Sequence, residues 1–238
     1  MMAPRPRSPR GSGEQLAEEI IDAAMVLLEE HDNADGVSIR AVADAVGVSP
    51  PAIYLHFTDK DALLDSVCGR YFDRLDVELG AAEAGHDHPL DRTLAMGLAY
   101  VRFALANPAV YQFAFGHTGA DGTPMVDEAL RTAAFGRLAG AVGSLADLGW
   151  YPPDPPGGAE VHALQMALEM WTVAHGVASL MIAKPELPWG DDLQVAESVM
   201  RASCLGNALL PVVGEHAEGE QVVEFVDGIR TTDRGRTD

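Results

Sequence analysis

The stretch that most constrains the fold runs from Val37 to Lys60 and reads VSIRAVADAVGVSPPAIYLHFTDK. Ser38 is suited to cap a helix, because its side chain can accept a hydrogen bond from a free amide of the first turn. Gly47 suits the left-handed conformation that commonly ends a helix. Ser49 followed by Pro50 suits the start of a second helix, where proline loses no hydrogen bond. The spacing predicts a helix-turn-helix.

The flanking segments extend this pattern into an all-α fold. We predict that Tyr54 to Phe57 ends the second helix and that Thr58 caps a third helix, which continues to Leu79 as a long connector. An amphipathic helix at residues 14–31 completes a three-helix head. A larger helical domain is expected after the connector. Its predicted helices, separated by proline- and glycine-rich breaks, are 89–106, 108–115, 124–148, 159–183 and 191–210.

Charge is unevenly placed along the chain. The formal net charge is −20, and residues 1–57 hold nine acidic side chains against four arginines, which are Arg5, Arg7, Arg10 and Arg40. Three of these arginines lie in residues 1–13, a segment with little to bury, which we predict to be a disordered basic arm. Such an arm can reach a minor groove, or it can be a solvated leader with no role. Residues 212–238 are predicted to be a flexible tail.

The motif quoted above resembles the N-terminal DNA-binding domain of the TetR/AcrR family of transcriptional regulators. The resemblance is carried by Gly47-Val48-Ser49, Tyr54-x-His56-Phe57 and Lys60. A second resemblance links Trp171, His175 and Gly176 to the WHG class of C-terminal domains in that family. Together they imply a DNA-binding domain at 14–58 and a ligand-binding and dimerisation domain at 59–211.

The resemblance implies a cytoplasmic homodimer that binds a double-stranded DNA operator, with the second helix of the motif in the major groove. The residues expected to face the base edges are Pro50, Pro51 and Ala52. Those expected to bind or orient the DNA backbone are Ser38, Arg40, Tyr54, His56 and Lys60. Ser49 and Leu55 are also expected at the DNA-binding surface. Proline and alanine carry no amide or guanidinium for paired base contacts. Base recognition would then depend on thymine methyl groups, on Arg40 and on DNA shape.

The same family usually keeps an apolar pocket between the connector and the last helices. This chain has methionine and aromatic side chains there, which can line a pocket that adapts to an apolar guest or form a solid core. The candidate ligand-binding residues are Met96, Tyr100, Phe103, Tyr111, Phe115, Met166, Met170, Trp171 and His175. We expect a repressor that a small apolar ligand releases from its operator. The alternative is a DNA-binding regulator that is gated by a partner protein or is ungated.

The last two predicted helices, 159–183 and 191–210, form the dimer interface in the family that the chain resembles. Small side chains on the first of them allow close helix approach, either between two subunits or within one. These are Ala163, Ala167, Ala174, Gly176 and Ala178. In a two-fold dimer each head would meet one half-site, about 34–36 Å from the other.

Other classes of protein fit these residues less well. The segment Val161 to Ala183 is long and apolar enough to span a bilayer. Gln165, Glu169 and His175 interrupt it, so we predict a buried helix and no membrane partner. The sequence has no glycine-rich phosphate loop, nucleophile elbow or paired-cysteine metal site. We therefore predict no enzyme activity, no cofactor and no metal site.

Overall fold

The computed structural model describes residues 12–119, 122, 124–145, 148, 157–190, 193–214 and 217–234. Over this part of the chain the only strand-like pairing is an isolated bridge between Thr118 and Pro124. The predicted all-α fold is confirmed. The helices are α1 (Ser12–His31), α2 (Ile39–Val46), α3 (Pro50–Ile53), α4 (Lys60–Glu83), α5 (Pro89–Ala106), α6 (Pro108–Gly116), α7 (Met125–Arg131), α8 (Ala133–Gly143), α9 (Ala159–Ala183), α10 (Gln194–Val213) and α11 (Gly219–Arg234).

The head consists of α1, a short 3₁₀ helix at Ala34–Gly36, α2 and α3. Ser38 caps α2 as predicted, and its Oγ accepts a hydrogen bond from the Ala41 amide at 3.1 Å. Gly47 ends α2 in the left-handed conformation, with a φ of 76°. Residues that have a Cβ rarely adopt this backbone conformation. The core of the head includes Ile20, Leu28, Val42, Ile53 and Phe57.

Two local boundaries in the head differ from the prediction. The second helix of the motif ends at Ile53, because the next residues form a tight turn in which the amides of His56 and Phe57 both donate to the Ile53 carbonyl. This turn brings Phe57 back into the core. The cap of α4 is Asp59 and not Thr58, since the Asp59 carboxylate accepts the Ala62 amide at 2.8 Å. A charged acceptor makes the stronger cap.

The connector α4 ends four residues later than predicted and joins the head to the larger domain. It packs against α1 at one end and against α5, α6 and α8 along the rest of its length. Its buried side chains recur at helical spacing and include Leu64, Val67, Tyr71, Leu75 and Leu79. A shift of this helix therefore moves the head relative to the domain.

Helix α9 has the predicted bounds and packs against α5, α8 and α10. Among the described residues it is the one helix that is long and apolar enough to cross a membrane. In this fold Ala167, Ala174 and Ala178 are buried within its own subunit. These small side chains therefore serve packing inside the subunit, so a dimer would have to use other residues.

The predicted helix at 124–148 is divided into α7 and α8. Thr132 separates them with an extended backbone, and its hydroxyl donates to the Ala129 carbonyl at 2.7 Å. This bond supplies a local alternative to the helical hydrogen bond, which is how threonine interrupts helices.

The C-terminal segment also differs from the flexible tail predicted at 212–238. Helix α10 continues to Val213, Gly214 turns the chain with a φ of 108°, and α11 follows. Val222, Val226 and Ile229 recur three and four residues apart on α11, the spacing of an amphipathic helix, and all three are exposed. At the other end, Ser12 and Gly13 begin α1, while residues 1–11 of the predicted arm lie outside the described residues.

Candidate DNA-binding surface and ligand pocket

The surface around α3 presents the side chains that the motif assigned to DNA. Tyr54 is 55% exposed and Leu55 is 83% exposed, so neither is held in the core. The other members at this surface are Ser38, Arg40, Ser49, Pro50 and Pro51, which are exposed, and Ala52 and His56, which are half-buried. Ser49 occupies the cap position of α3, but its side chain accepts no capping hydrogen bond. All of these predicted contact residues are thus at least partly accessible to solvent, and their contact with DNA stays a prediction.

Lys60 has an additional structural role. Its side chain is half-buried, and Nζ donates a hydrogen bond to the Ala34 carbonyl at 2.6 Å. The ammonium therefore ties the 3₁₀ helix to the first turn of α4. An ammonium has three donors, so two of them are left for a phosphate. Contact between Lys60 and DNA stays a prediction.

The head has few positive charges to offer to DNA. Arg70 pairs with Glu18 and Asp22, and Arg74 pairs with Asp22 at 2.7 Å. These ion pairs fasten α1 to α4 and occupy both arginines. Arg40 is exposed and forms no ion pair with the described residues. The non-specific affinity that phosphate contacts usually supply is therefore expected to be weak.

An apolar pocket is lined by residues of every helix from α4 to α10. Its cavity volume is about 60 Å³, and about 740 Å³ when all the space between its walls and the opening to solvent is counted. Five of the nine predicted ligand-binding residues line it, namely Met96, Tyr100, Phe115, Met170 and Trp171. At one wall α5 and α10 approach so closely that a Cβ added at Gly97 would lie 2.7 Å from Met200 Sδ. No charged side chain of the described residues is part of the lining.

The other four predicted ligand-binding residues are Phe103, Tyr111, Met166 and His175, and they lie outside the lining. Phe103 packs on Tyr71 with the ring centres 5.0 Å apart. Met166 packs against Val142 and Leu145 in a small separate cluster. Both therefore belong to the solid core, the alternative that the sequence left open.

Tyr111 and His175 belong to a buried polar cluster directly behind the pocket. The hydroxyls of Tyr100 and Tyr111 each lie 2.9 Å from His175 Nδ1, and the Tyr111 hydroxyl lies 2.7 Å from Ser179 Oγ. Burial lowers the pKa of His175 and raises the pKa of both tyrosines, because a poorly solvated site disfavours the charged forms. The cluster is uncharged at neutral pH.

Helix α6 contacts the head at its N-terminal end and the connector α4 at its C-terminal end. At its N-terminus the Glu29 carboxylate of α1 accepts the amides of Ala109 at 3.2 Å and Val110 at 2.9 Å. Just after its C-terminus, His117 Nε2 lies 3.0 Å from Asp65 Oδ1 of α4. Between these two contacts, Phe115 lines the pocket. Displacement of α6 is therefore transmitted to both α1 and α4.

Sequence reasoning missed several residues of this site. The connector contributes Phe72, Leu75 and Leu79 to the pocket, and α10 contributes Met200 and Cys204. The three connector residues lie three and four positions apart, so they share one helix face. That periodicity was a usable signal, whereas the contribution of α10 depends on how the helices pack.

These features define a class of protein, an all-helical regulator with an N-terminal helix-turn-helix and a C-terminal domain that holds an apolar pocket. Residues 20–67 match the family described as bacterial regulatory proteins, tetR family, and residues 93–203 match the tetracyclin repressor-like C-terminal domain. The chain belongs to the TetR family and is a DNA-binding transcriptional regulator. The narrower resemblance to the WHG class stays a prediction.

The chain is also similar to solved structures and to curated relatives. A protein of unknown function from Rhodococcus sp. RHA1 is 28% identical, with a TM-score of 0.66 over 86% of this chain and 98% of that one. The regulator FadR from Bacillus subtilis, solved in complex with stearoyl-CoA, is 14% identical, with a TM-score of 0.65 over 79% of this chain and 98% of that one. The nucleoid occlusion factor SlmA of Actinobacillus pleuropneumoniae is 25% identical over 117 residues, which span 49% of this chain and 58% of that protein.

Proposed function

We propose that this protein is a homodimeric repressor that a small apolar ligand releases from its DNA operator in the cytoplasm. The observation that carries the proposal is an exposed α3 surface and an apolar pocket in one chain, with α4 and α6 contacting both the pocket and helix α1 of the head. The stearoyl-CoA complex of FadR supports an apolar chain as a ligand for this fold. The proposal includes no catalytic step.

Release would act through the helices that line the pocket and also hold the head. A ligand against Phe72 and Phe115 would shift α4 and α6 together, and Glu29 would carry that shift into α1. The two heads of the dimer could then no longer bind both half-sites of the operator at the same time. A ligand changes operator affinity only by its differential affinity for the two head positions. A coupling of about 1–3 kcal/mol corresponds to a roughly 5- to 150-fold change in operator affinity.

The DNA surface can be tested with Tyr54→Ala. Loss of one backbone contact worth about 1 kcal/mol should weaken operator binding about fivefold without a change in the free energy of unfolding. Val77→Ala is the control, because Val77 is an exposed apolar residue on α4, outside the head. Operators for the measurement come from genomic fragments selected by the purified protein. Equal affinity of Tyr54→Ala and the control would exclude Tyr54 as a DNA contact.

Lys60→Ala should behave differently, because Lys60 also binds the Ala34 carbonyl. We expect it to reduce the salt dependence of operator binding by about one phosphate contact. We also expect a loss of about 1.5–3 kcal/mol in the free energy of unfolding, since a hydrogen bond from a charged donor is removed. An unchanged salt slope together with lower stability would leave Lys60 with a structural role alone.

The pocket can be tested by filling it with Ala134→Leu. Ala134 is buried and lines the pocket, so the larger side chain should exclude an apolar guest. Binding of the uncharged probe 1-N-phenylnaphthylamine should weaken at least about tenfold, because about 1.4 kcal/mol of lost contact is enough for that factor. Ala81→Leu makes the same change at an exposed position of α4 and serves as the control. Equal probe binding by both variants would argue that the probe does not enter this pocket.

A second candidate function is a DNA-binding regulator that is gated by a partner protein or is ungated. It is favoured by the similarity to SlmA and by the exposed apolar residues of α11. The two candidates differ in one measurable property. Apolar compounds should raise the melting temperature of a ligand-gated protein and leave that of a partner-gated or ungated protein unchanged.

A further inference from the structure

We propose that the ligand is an amphipathic anion, with its apolar chain in the pocket and its anionic head group in an adjoining groove beside Arg102 and Arg201. The head group can be a sulfate, a phosphate or a carboxylate, because each of them accepts hydrogen bonds from guanidinium groups. This assignment rests on the proposed ligand pocket and specifies the chemistry of its occupant.

The pocket itself is poorly suited to a charged head group. The polar side chains that line it in the described part of the chain carry four hydroxyls, one indole N–H and one thiol, on Thr93, Tyr100, Thr132, Ser203, Trp171 and Cys204. Burial raises the pKa of the Cys204 thiol, so it is uncharged at neutral pH. A charged group among these side chains would lose its hydration without gaining a counter-charge, which is strongly disfavoured. The charge of an anionic ligand therefore has to lie outside the pocket.

A groove of about 310 Å³ adjoins the pocket, and Leu94 lines both spaces. Helix α10 also takes part in both, because Met200 lines the pocket while its neighbour Arg201 lines the groove. The other residues that line the groove are Ala82, His86, Asp91, Ala95, Leu98 and Arg102. The groove thus places charged side chains beside an apolar strip that leads to the pocket.

One flexible side chain lies where α5 and α10 meet, one helical turn from Leu94. Met200 packs so closely on Gly97 that an added Cβ would lie 2.7 Å from its Sδ. Methionine is unbranched and adapts to irregular spaces, so rotation of Met200 can open a passage while both helices keep their positions. An apolar chain that lies along Leu98 and Leu94 can then enter the pocket.

The two arginines of the groove keep hydrogen-bonding capacity for an anion. Arg102 is exposed and forms no ion pair with the described part of the chain. Arg201 contacts Glu197 Oε1 through Nε at 2.8 Å and Nη2 at 2.7 Å. A guanidinium has five N–H donors, so three of those on Arg201 remain.

Asp91 is the one acidic side chain among the described residues that line the groove. It precedes Arg102 on α5 by eleven residues, which is about 16 Å along the helix axis. Its carboxylate therefore opposes an anion least at the end of the groove that Arg102 occupies.

The test is displacement of 1-N-phenylnaphthylamine from the full-length protein by decyl sulfate and by 1-decanol, which have the same chain and differ in the charge of the head group. Decyl sulfate is used below the concentration at which it forms micelles. Arg102→Gln should weaken the binding of decyl sulfate about two- to fivefold, the effect of one solvent-exposed ion pair, and leave that of 1-decanol unchanged. Addition of Arg201→Gln should weaken decyl sulfate further.

Ala134→Leu, which fills the apolar pocket, should weaken decyl sulfate and 1-decanol alike, because both place the same chain there. Lys184→Gln is the matched control for charge. It removes a positive charge from an exposed position directly after α9, outside the groove, and should leave both affinities unchanged.

Equal effects of Arg102→Gln on the two compounds, or an effect of Lys184→Gln on decyl sulfate as large as that of Arg102→Gln, would overturn the assignment of the head group and leave the pocket intact. Unchanged binding of decyl sulfate by Ala134→Leu would place the whole ligand in the groove and would also overturn it. A wild-type protein that binds neither the probe nor the two decyl compounds would instead overturn the proposed pocket.

Discussion

Aspartate at both Leu205 and Leu209 should convert the proposed dimer into folded monomers. Both leucines lie on one face of α10 and are 53% and 42% exposed, so their replacement costs the isolated subunit little. In a dimer formed through this face, each aspartate would be a buried carboxylate without a partner, at a cost of about 3 kcal/mol or more. Sedimentation analysis measures the change in mass directly.

Operator binding should fall with the dimer, because one head meets only one half-site. A cost of about 3 kcal/mol already lowers affinity more than about 100-fold. The control is Val77→Asp, which adds one aspartate at an exposed position of α4 and should leave both mass and affinity unchanged. A double aspartate variant that stays dimeric would place the interface elsewhere, with the apolar face of α11 as the next surface to test.

The second large effect is expected at Glu29. Asn107 precedes α6 but makes no side-chain cap, and Pro108 has no N–H. The free amides at this helix start are those of Ala109 and Val110, and Glu29 accepts both. Glu29→Ala would leave two buried amides without an acceptor. We expect the free energy of unfolding to fall by about 2–4 kcal/mol, measured by urea denaturation.

The same variant should uncouple the head from the pocket. In the repressor mechanism proposed here, Ala134→Leu changes operator affinity because it occupies the place of the ligand. Combined with Glu29→Ala, it should lose most of that effect, which a double-mutant cycle measures as a coupling free energy. Glu30→Ala, at the exposed neighbouring position on α1, should leave both stability and coupling unchanged. Additive effects of Glu29→Ala and Ala134→Leu would show that α4 alone carries the signal.

The sequence by itself determined the local features of the fold. The Ser38 cap, the left-handed Gly47 and the bounds of α5 and α9 were all predicted, because caps, proline and hydrophobic periodicity act within a few residues along the chain. The exposed Tyr54 and Leu55 could also be placed, since the motif predicts which side of α3 faces outward. The helix order of the head was therefore predictable, whereas the end of α3 and the Asp59 cap of α4 were not.

Only the tertiary structure decided which apolar side chains line the pocket. Phe72 lines it whereas Phe103 is solid core, although both occupy apolar positions of predicted helices. The sequence shows that a helix has an apolar face, but the neighbouring helices decide which part of that face remains uncovered. Glu29 at the start of α6 is the clearest case, because an acceptor about eighty residues away satisfies amides that local sequence leaves without a cap.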